Sequence, residues 1–314
     1  MRHEFVIQSV IDAVKVLERQ NDLSPKNPVV NTTLTNLVKL LTDDYSRQEE
    51  QLILEDPRVI NVRQRLLDRL SRAEAEMEKF WTDCFLRNEN LTQQDLEKFW
   101  YWDNYDKLVD KEIQSIPIAE SYQDYEAHRG SRLAWTHRRS AAPTKGAAFV
   151  GSGSLPLSAI IFHLKTGIPV TCIDSDEDAC RKARKLLKKL GLDDIKTLHA
   201  DGVEVNFERY TTVFLASLIP NDQKNDIIAR IRSVKNPCFI AVRSAERLHT
   251  LLYEPFNPDE GQAAKCRQID KTEHDSEVIN TTYVMLHEQQ RSLLPMRGTR
   301  MKVRAHKYGW GNVP

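Results

Sequence analysis

Apolar residues recur at a helical spacing through the first third of the chain. Three segments carry this period: Phe5, Ile7, Val10, Ile11, Val14 and Leu17 in the first; Leu34, Leu37, Val38 and Leu41 in the second; Val62, Leu66, Leu67, Leu70 and Ala73, within Asn61–Cys84, in the third. Pro25 and Pro28 mark the first break, and Asp56-Pro57 marks the second. The first glycine is Gly130. The pattern predicts a helical bundle over residues 1–115.

After Lys145 the apolar residues no longer recur at a helical spacing throughout. Short apolar runs, typical of buried strands, occupy Ala147–Val150, Val170–Ile173, Thr197–Ala200, Val213–Leu218 and Cys238–Val242. Helix-like segments such as Ser175–Leu190 and Asp222–Val234 separate them. This alternation predicts an α/β fold with a mostly parallel sheet and right-handed crossovers over residues 146–314. A last apolar run, Glu277–Leu286, predicts an antiparallel edge strand, and residues 116–145 are interpreted as a linker or lid.

Charge and cysteine content narrow the classes of partner. The 314 residues contain 45 Lys plus Arg and 45 Asp plus Glu, so a nucleic acid is not expected as a partner. No apolar stretch approaches the roughly 18 residues of a membrane-spanning helix, and the first residues lack a secretion signal. The five cysteines form no CxxC pair, which argues against a zinc site or a disulfide framework. We therefore expect a soluble cytoplasmic protein that acts on a small molecule, without membrane or metal, and with its oligomeric state open.

A glycine-containing turn follows the first predicted strand. Gly151, Ser152 and Gly153 allow the backbone to approach a ligand closely, because neither glycine carries a Cβ atom. Leu155 and Pro156 stand where a dinucleotide fingerprint would have its third glycine, so pyrophosphate binding is disfavoured.

Acidic residues end the next two predicted strands, and a third acid follows the first of them closely. Asp174, with Asp176 close behind it, is suited to accept hydrogen bonds from the ribose hydroxyls, and Asp201 is suited to an adenine edge. A glycine turn, then an acid for the ribose, then an acid for adenine is an order that favours an adenosine without phosphates. S-adenosylmethionine therefore fits better than NAD. Each of these acids could instead cap a helix.

The residues around this turn resemble a known family. The string FVGSGSLPLS, from Phe149 to Ser158, resembles the FVGSGPLPLT signature of nicotianamine synthases. Three further stretches are similar in order: Trp100–Tyr105 with Leu108 and Glu112, Val242–Ala245 with Leu251–Tyr253, and Val278–Asn280. The resemblance implies a helical N-terminal domain on a Rossmann-like domain of the class I methyltransferase type.

The resemblance also implies an unusual use of S-adenosylmethionine as a substrate, with no metal. An amine attacks Cγ of the methionine chain, and 5'-methylthioadenosine leaves. Glu112 corresponds to the family's catalytic glutamate, as base or amine-positioning group, although beside Lys107 and Lys111 it could be an ordinary helix-surface acid.

Several further side chains are candidates for this site. Trp100, Trp102 and Tyr105 would face the sulfonium, unless these aromatic residues belong to the core. Arg243 would bind the α-carboxylate, and Tyr253 would donate a hydrogen bond to it. Tyr105 is also a candidate catalytic residue beside Glu112.

Departures from the family pattern concern the identity of the attacking amine. Ser154 replaces a proline, Ser217 replaces an alanine and is a third candidate catalytic residue, and the tail Arg291–Pro314 is additional. The stretch between Glu112 and Phe149 is longer than in the family and contains Tyr122, Tyr125, Trp135 and His137. This longer stretch and the added hydroxyl of Ser217 would seal the site and orient the substrate. A sealed site favours cyclisation of S-adenosylmethionine to azetidine-2-carboxylate. The alternatives are intermolecular transfer, as in nicotianamine and opine-metallophore synthases, an ordinary methyltransferase, and a non-catalytic adenosyl-binding protein.

Overall fold

The computed structural model of the protein describes residues 2–117, 146–275 and 277–288. The expectations for Tyr122, Tyr125, Trp135, His137 and the tail Arg291–Pro314 lie outside these residues.

Four helices build the first part of the chain: α1 (Arg2–Glu18), α2 (Pro28–Leu41), α3 (Arg47–Leu54) and α4 (Pro57–Arg87). Pro28 and Pro57 open α2 and α4, where the missing N–H of proline has no helical partner to lose. The predicted apolar stripes form the core between α1, α2 and α4. Phe5 and Leu67 are exceptions: Phe5 lies on the outer face of α1 and is 66% exposed, and Leu67 does not join this core. The sequence pattern did not separate the short helix α3.

Seven strands form one sheet: β1 (Gly146–Val150), β2 (Val170–Asp174), β3 (Ile195–His199), β4 (Tyr210–Leu215), β5 (Cys238–Ser244), β6 (Arg267–Lys271) and β7 (Thr281–His287). Their order is β3-β2-β1-β4-β5-β7-β6, and β1 to β5 are parallel. β7 is antiparallel, as predicted, but it pairs with β5 on one side and β6 on the other. Its predicted position at the edge was wrong, because β6 is the edge strand. The sequence of β6, RQIDK, has one apolar residue and gave no strand signal.

Helices α5 (Trp102–Ser115), α6 (Leu157–Thr166), α7 (Glu177–Lys189) and α8 (Asn221–Arg232) complete the structure. α5 packs against α6, and Val109 of α5 joins the apolar layer of Phe149, Phe162 and Phe214 on one sheet face. By its packing, α5 therefore belongs with the sheet. Within the described ranges, no helix is long and apolar enough to cross a membrane.

Helix α4 connects the two parts of the structure. Its first half packs against α1, and its second half packs against α7 beside the sheet. Thr82 Oγ1 donates to the Ser154 carbonyl at 3.1 Å, and Lys79 Nζ forms an ion pair with Asp176 at 2.7 Å. One face of α4 therefore lies over the carboxyl ends of the parallel strands, where α/β proteins bind ligands.

Candidate active site

The turn after β1 needs its glycines. Gly151 has φ +73° and Gly153 has φ +67°, a backbone region that L side chains rarely adopt. The Gly153 N–H donates to Asp174 Oδ2 at 2.8 Å. A Cβ atom on Gly153 would overlap the carboxylate of Glu78 on α4. The turn is thus packed closely between the end of β2 and α4.

A cavity of about 310 Å³ opens over the carboxyl ends of β1, β4 and β5. α2, α4 and α5 form its other walls. Seven of the sequence-predicted site residues line it: Trp100, Tyr105, Gly151, Ser152, Ser217, Arg243 and Tyr253. The others are Trp102, Glu112, Gly153, Asp174, Asp176 and Asp201, which lie around the cavity and not in its lining.

Arg243, at the end of β5, is joined to Glu112 of α5. Its Nε and Nη2 donate to the two carboxylate oxygens of Glu112, each at 2.9 Å. Thr282 Oγ1 donates to Glu112 Oε1 at 2.8 Å, and Nη2 of Arg243 also donates to Ser158 Oγ at 2.9 Å. Although burial lowers the pKa of Arg243, the adjacent Glu112 carboxylate raises it above its usual value. Glu112 itself is fully buried, which does not suit the role of a base that meets a substrate amine.

Two acids that the sequence analysis did not single out lie in the cavity. Glu74 and Glu78 occupy successive turns of α4, and both line the cavity wall. Burial raises the pKa of Glu74 to about 7, and burial together with the charges of Glu74 and Asp174 raises the pKa of Glu78 to about 8. Their position was visible in the sequence, since both fall on the apolar face that carries Leu70 and Ala73. An acid on an apolar helix face is the signal that the sequence analysis missed.

Two phenols and two backbone amides surround these acids. Tyr253 donates a hydrogen bond to Glu74, and the amides of Ser154 and Leu155 donate to Glu78. Burial and the nearby carboxyl groups raise the pKa values of both Tyr105 and Tyr253 above the usual value, so both phenols stay protonated. The site therefore combines groups that donate hydrogen bonds with carboxyl groups that can exchange a proton near neutral pH.

The two tryptophans predicted to face a sulfonium occupy different places. Trp100 is 57% exposed at the cavity rim and makes an edge contact with Trp81, with ring centroids 5.5 Å apart. Trp102 packs against the apolar layer of the sheet and lies outside the cavity lining. The aromatic surfaces next to Glu74 and Glu78 instead include those of Tyr101, Tyr105 and Tyr253.

The three predicted nucleoside acids lie at or just after the ends of β2 and β3. Asp174 accepts from two backbone amides, those of Gly153 and Asp176. Asp176 caps α7 and pairs with Lys79. Asp201 caps a single helical turn at Gly202–Glu204. Helix capping and the Lys79 pair thus account for the observed hydrogen bonds of Asp176, and helix capping accounts for that of Asp201, whereas Asp174 holds the glycine turn in place.

Ser217 lies just beyond the end of β4 and faces the cavity. Its Oγ accepts a hydrogen bond from Asn280 Nδ2 at 2.9 Å, which leaves the hydroxyl proton available. The carbonyl of Ser217 accepts from Lys224 Nζ at 3.4 Å, and the carbonyl of Arg243 accepts from the same nitrogen at 3.0 Å. Across the described part of the chain, no three His, Cys, Asp or Glu side chains are grouped to hold a metal ion.

A family model described as "Nicotianamine synthase protein" matches residues 1–292. Nicotianamine synthase 3 of Oryza sativa is 25% identical over 291 residues, which cover 90% of this chain and 78% of the relative. The L-histidine 2-aminobutanoyltransferase of Pseudomonas aeruginosa is 34% identical over 115 residues, or 36% of this chain and 43% of the relative.

Crystal structures of MtNAS agree in fold. The complex of MtNAS with MTA and tNA has a TM-score of 0.70 and 17% identity, and the match covers 90% of this chain and 96% of that one. A point variant of MtNAS in complex with S-adenosylmethionine matches with the same TM-score and 16% identity.

Proposed function

Because this chain belongs to the nicotianamine synthase family, we propose that it consumes S-adenosylmethionine by aminocarboxypropyl transfer. An amine attacks Cγ of the methionine chain, and 5'-methylthioadenosine is released. The observation that carries this proposal is the position of Glu74 and Glu78, which line the cavity where α4 meets the glycine turn. Burial raises the pKa values of both acids, which suits a base that takes a proton from an ammonium group.

The transfer step forms one N–C bond and breaks one C–S bond. The amine lone pair attacks Cγ, and the electron pair of the Cγ–S bond moves to sulfur, so the sulfonium becomes a neutral thioether. The nucleophile must first lose a proton, which Glu78 or Glu74 accepts. A sulfonium cation beside these carboxyl groups lowers their pKa values, so binding of the substrate itself favours the ionised, basic form.

The surrounding backbone and side chains orient the substrate. The adenosyl group lies at the Gly151–Gly153 turn, with the ribose toward Asp174, whose carboxylate retains free lone pairs for hydroxyl donors. The α-carboxylate meets Arg243, which Glu112 holds in a fixed orientation. Glu112 therefore acts as a positioning residue, and the proton transfer is assigned to the α4 pair.

The first candidate for the attacking amine is the amino group of a second substrate, the acceptor. The cavity lies over β1, β4 and β5 and continues past Glu74 to α2, whereas the nucleoside acids lie beside it. The lining thus runs from the Gly151–Ser152 turn to α2, and the α2 end is proposed to take the second substrate. The relatives named above as nicotianamine synthases and an L-histidine 2-aminobutanoyltransferase support intermolecular transfer.

Cyclisation to azetidine-2-carboxylate is the second candidate, and Ser217 is the observation that favours it. Asn280 orients the Ser217 oxygen, so the hydroxyl proton can point at a ligand near the strand ends. Such a donor would help fold the methionine chain so that its own amine reaches Cγ.

Mass spectrometry of the purified protein with S-adenosylmethionine, alone and with a mixture of amino acids, tests the proposal. Methylthioadenosine that forms only with an acceptor, together with a product heavier by the aminocarboxypropyl group, is the expected result. Methylthioadenosine with a four-membered imino acid in the acceptor-free tube would establish cyclisation instead. S-adenosylhomocysteine would identify an ordinary methyltransferase, and binding without any turnover would identify a non-catalytic protein.

A further inference from the structure

The half of the cavity that faces α2 has an apolar wall. Leu34 and Val38 of α2, Leu70 and Ala73 of α4, and Ile279 before β7 form it. Leu34, Val38 and Ile279 pack on one side against the core of the helical domain and are only partly buried. Their remaining surface is available to a ligand in the cavity.

Two polar side chains along this wall, those of Thr42 and Asn31, donate hydrogen bonds to the backbone. Thr42 Oγ1 donates to the Val38 carbonyl at 2.9 Å, and Asn31 Nδ2 donates to the Pro25 carbonyl at 2.7 Å. Thr35, on the same helix, is exposed. The wall therefore offers a ligand mainly methyl and methylene groups.

Helix α4 fixes the distance between this wall and the acid pair. Leu70, Glu74 and Glu78 are spaced four residues apart and form one stripe on the helix, about 12 Å from end to end. Glu78 contacts the glycine turn, and Leu70 lies at the α2 end. An amine next to Glu74 therefore has its substituents within one helical turn of Leu70 and Ala73.

We propose that this wall is the acceptor subsite and that the acceptor is an α-amino acid with an apolar side chain. This inference rests on the intermolecular form of the proposed function. The acceptor amine gives its proton to the acid pair, and its side chain packs between α2 and α4. A charged side chain would lose its hydration against Leu34, Val38 and Leu70, which offer it no ion pair.

An acceptor series tests the inference. Leucine, methionine, aspartate and lysine are compared at saturating S-adenosylmethionine, with methylthioadenosine measured by chromatography and each product identified by mass. One methylene in an apolar pocket is worth about 10- to 200-fold in kcat/KM. Leucine and methionine are therefore expected to exceed aspartate and lysine by at least about tenfold.

Two variants of Val38 test whether the apolar wall causes the acceptor preference. V38K, and the nearly isosteric V38T, are expected to lower kcat/KM for leucine while the Kd for S-adenosylmethionine stays near the wild-type value. V29K is the matched control, because Val29 lies on the same helix and is exposed outside the cavity. Its acceptor preference is expected to equal that of the wild type.

Each other outcome overturns the inference in a distinct way. Equal or better use of aspartate or lysine, or an unchanged preference in V38T and V38K, refutes the apolar subsite while the transfer chemistry stands. Methylthioadenosine formed together with a four-membered imino acid in the absence of an acceptor also refutes it and indicates cyclisation. No methylthioadenosine under any condition refutes both the subsite and the proposed function.

Discussion

Arg243 donates two parallel hydrogen bonds to Glu112, from Nε and Nη2, each 2.9 Å long. The pair connects α5 to the carboxyl end of β5, and both side chains are buried. Paired guanidinium and carboxylate groups of this geometry hold each other rigidly. The pair therefore sets where the guanidinium of Arg243 meets the cavity.

Removing Glu112 is expected to destabilise the protein. In Glu112→Ala the guanidinium of Arg243 stays buried without its counter-charge, which costs about 3–5 kcal/mol when one partner of a buried pair is lost. Urea unfolding measures this cost. Glu4→Ala is the control, because Glu4 pairs with Arg58 at the exposed surface, outside the cavity. An activity loss in Glu112→Ala with unchanged stability would return Glu112 to a direct role in the reaction.

Replacing the acid pair is expected to abolish most turnover. Glu78→Gln and Glu74→Gln keep the shape but remove the proton acceptor, and general-base catalysis contributes about 10²- to 10⁴-fold. Initial rates of methylthioadenosine release measure the effect. Asp68→Asn, an exposed change on the same helix, is the control. If both Gln variants kept wild-type rates, the base would have to be another group.

Protein stability is expected to fall as pH rises through the pKa values of the acid pair. The usual glutamate value is 4.5, and the folded values are about 7 for Glu74 and about 8 for Glu78. Between these limits the folded state binds more protons than the unfolded state, so the stabilisation is complete below pH 4.5 and is lost by about pH 8.

Urea unfolding at several pH values, without S-adenosylmethionine, measures this slope. The double variant Glu74→Gln with Glu78→Gln lacks both titrating groups, so its pH dependence is expected to be flatter. Identical pH dependences would mean that these carboxyl groups titrate normally.

The contrast between α4 and the sheet shows what could be predicted from the sequence. The parallel strands are apolar and separated by helical segments, so the periodicity predicts β1 to β5 directly. β6 is an edge strand with charged residues, and its place depends on pairing with β7, which local pattern does not encode. Glu74 and Glu78 fall on the apolar face of α4, which the sequence shows, but their burial against the glycine turn depends on how α4 packs over the sheet, which the local pattern does not encode.

Ser217→Ala is expected to reduce turnover by at least about tenfold, as expected for the loss of a donor at a reacting centre. The change removes the hydroxyl that Asn280 orients and leaves the backbone carbonyl of Ser217 in place. The measurement is kcat for methylthioadenosine release, with Ser233→Ala on the far end of α8 as the control. Unchanged turnover in Ser217→Ala would show that the hydroxyl has no part in the reaction.

Lys224→Met is expected to displace the carboxyl ends of β4 and β5 and to lower the activity. Lys224 is fully buried on α8, and burial lowers its pKa to about 8. Its Nζ bonds the carbonyls of Ser217 and Arg243, the two residues that β4 and β5 bring to the cavity. Methionine fills a similar volume but donates no hydrogen bond, and a buried carbonyl left without a partner costs about 1–3 kcal/mol.

Kinetics separate this role of Lys224 from general destabilisation. A displaced Arg243 raises KM for S-adenosylmethionine, and a displaced Ser217 lowers kcat, so both constants are expected to change at temperatures where the variant is fully folded. Displacement of a reacting group by about 1 Å can lower the reaction rate roughly 10²-fold, so kcat/KM is the most sensitive measure of such a displacement. Lys185→Met, an exposed lysine on α7, is the matched control. Wild-type kcat and KM in folded Lys224→Met would mean that the strand ends keep their positions without this lysine.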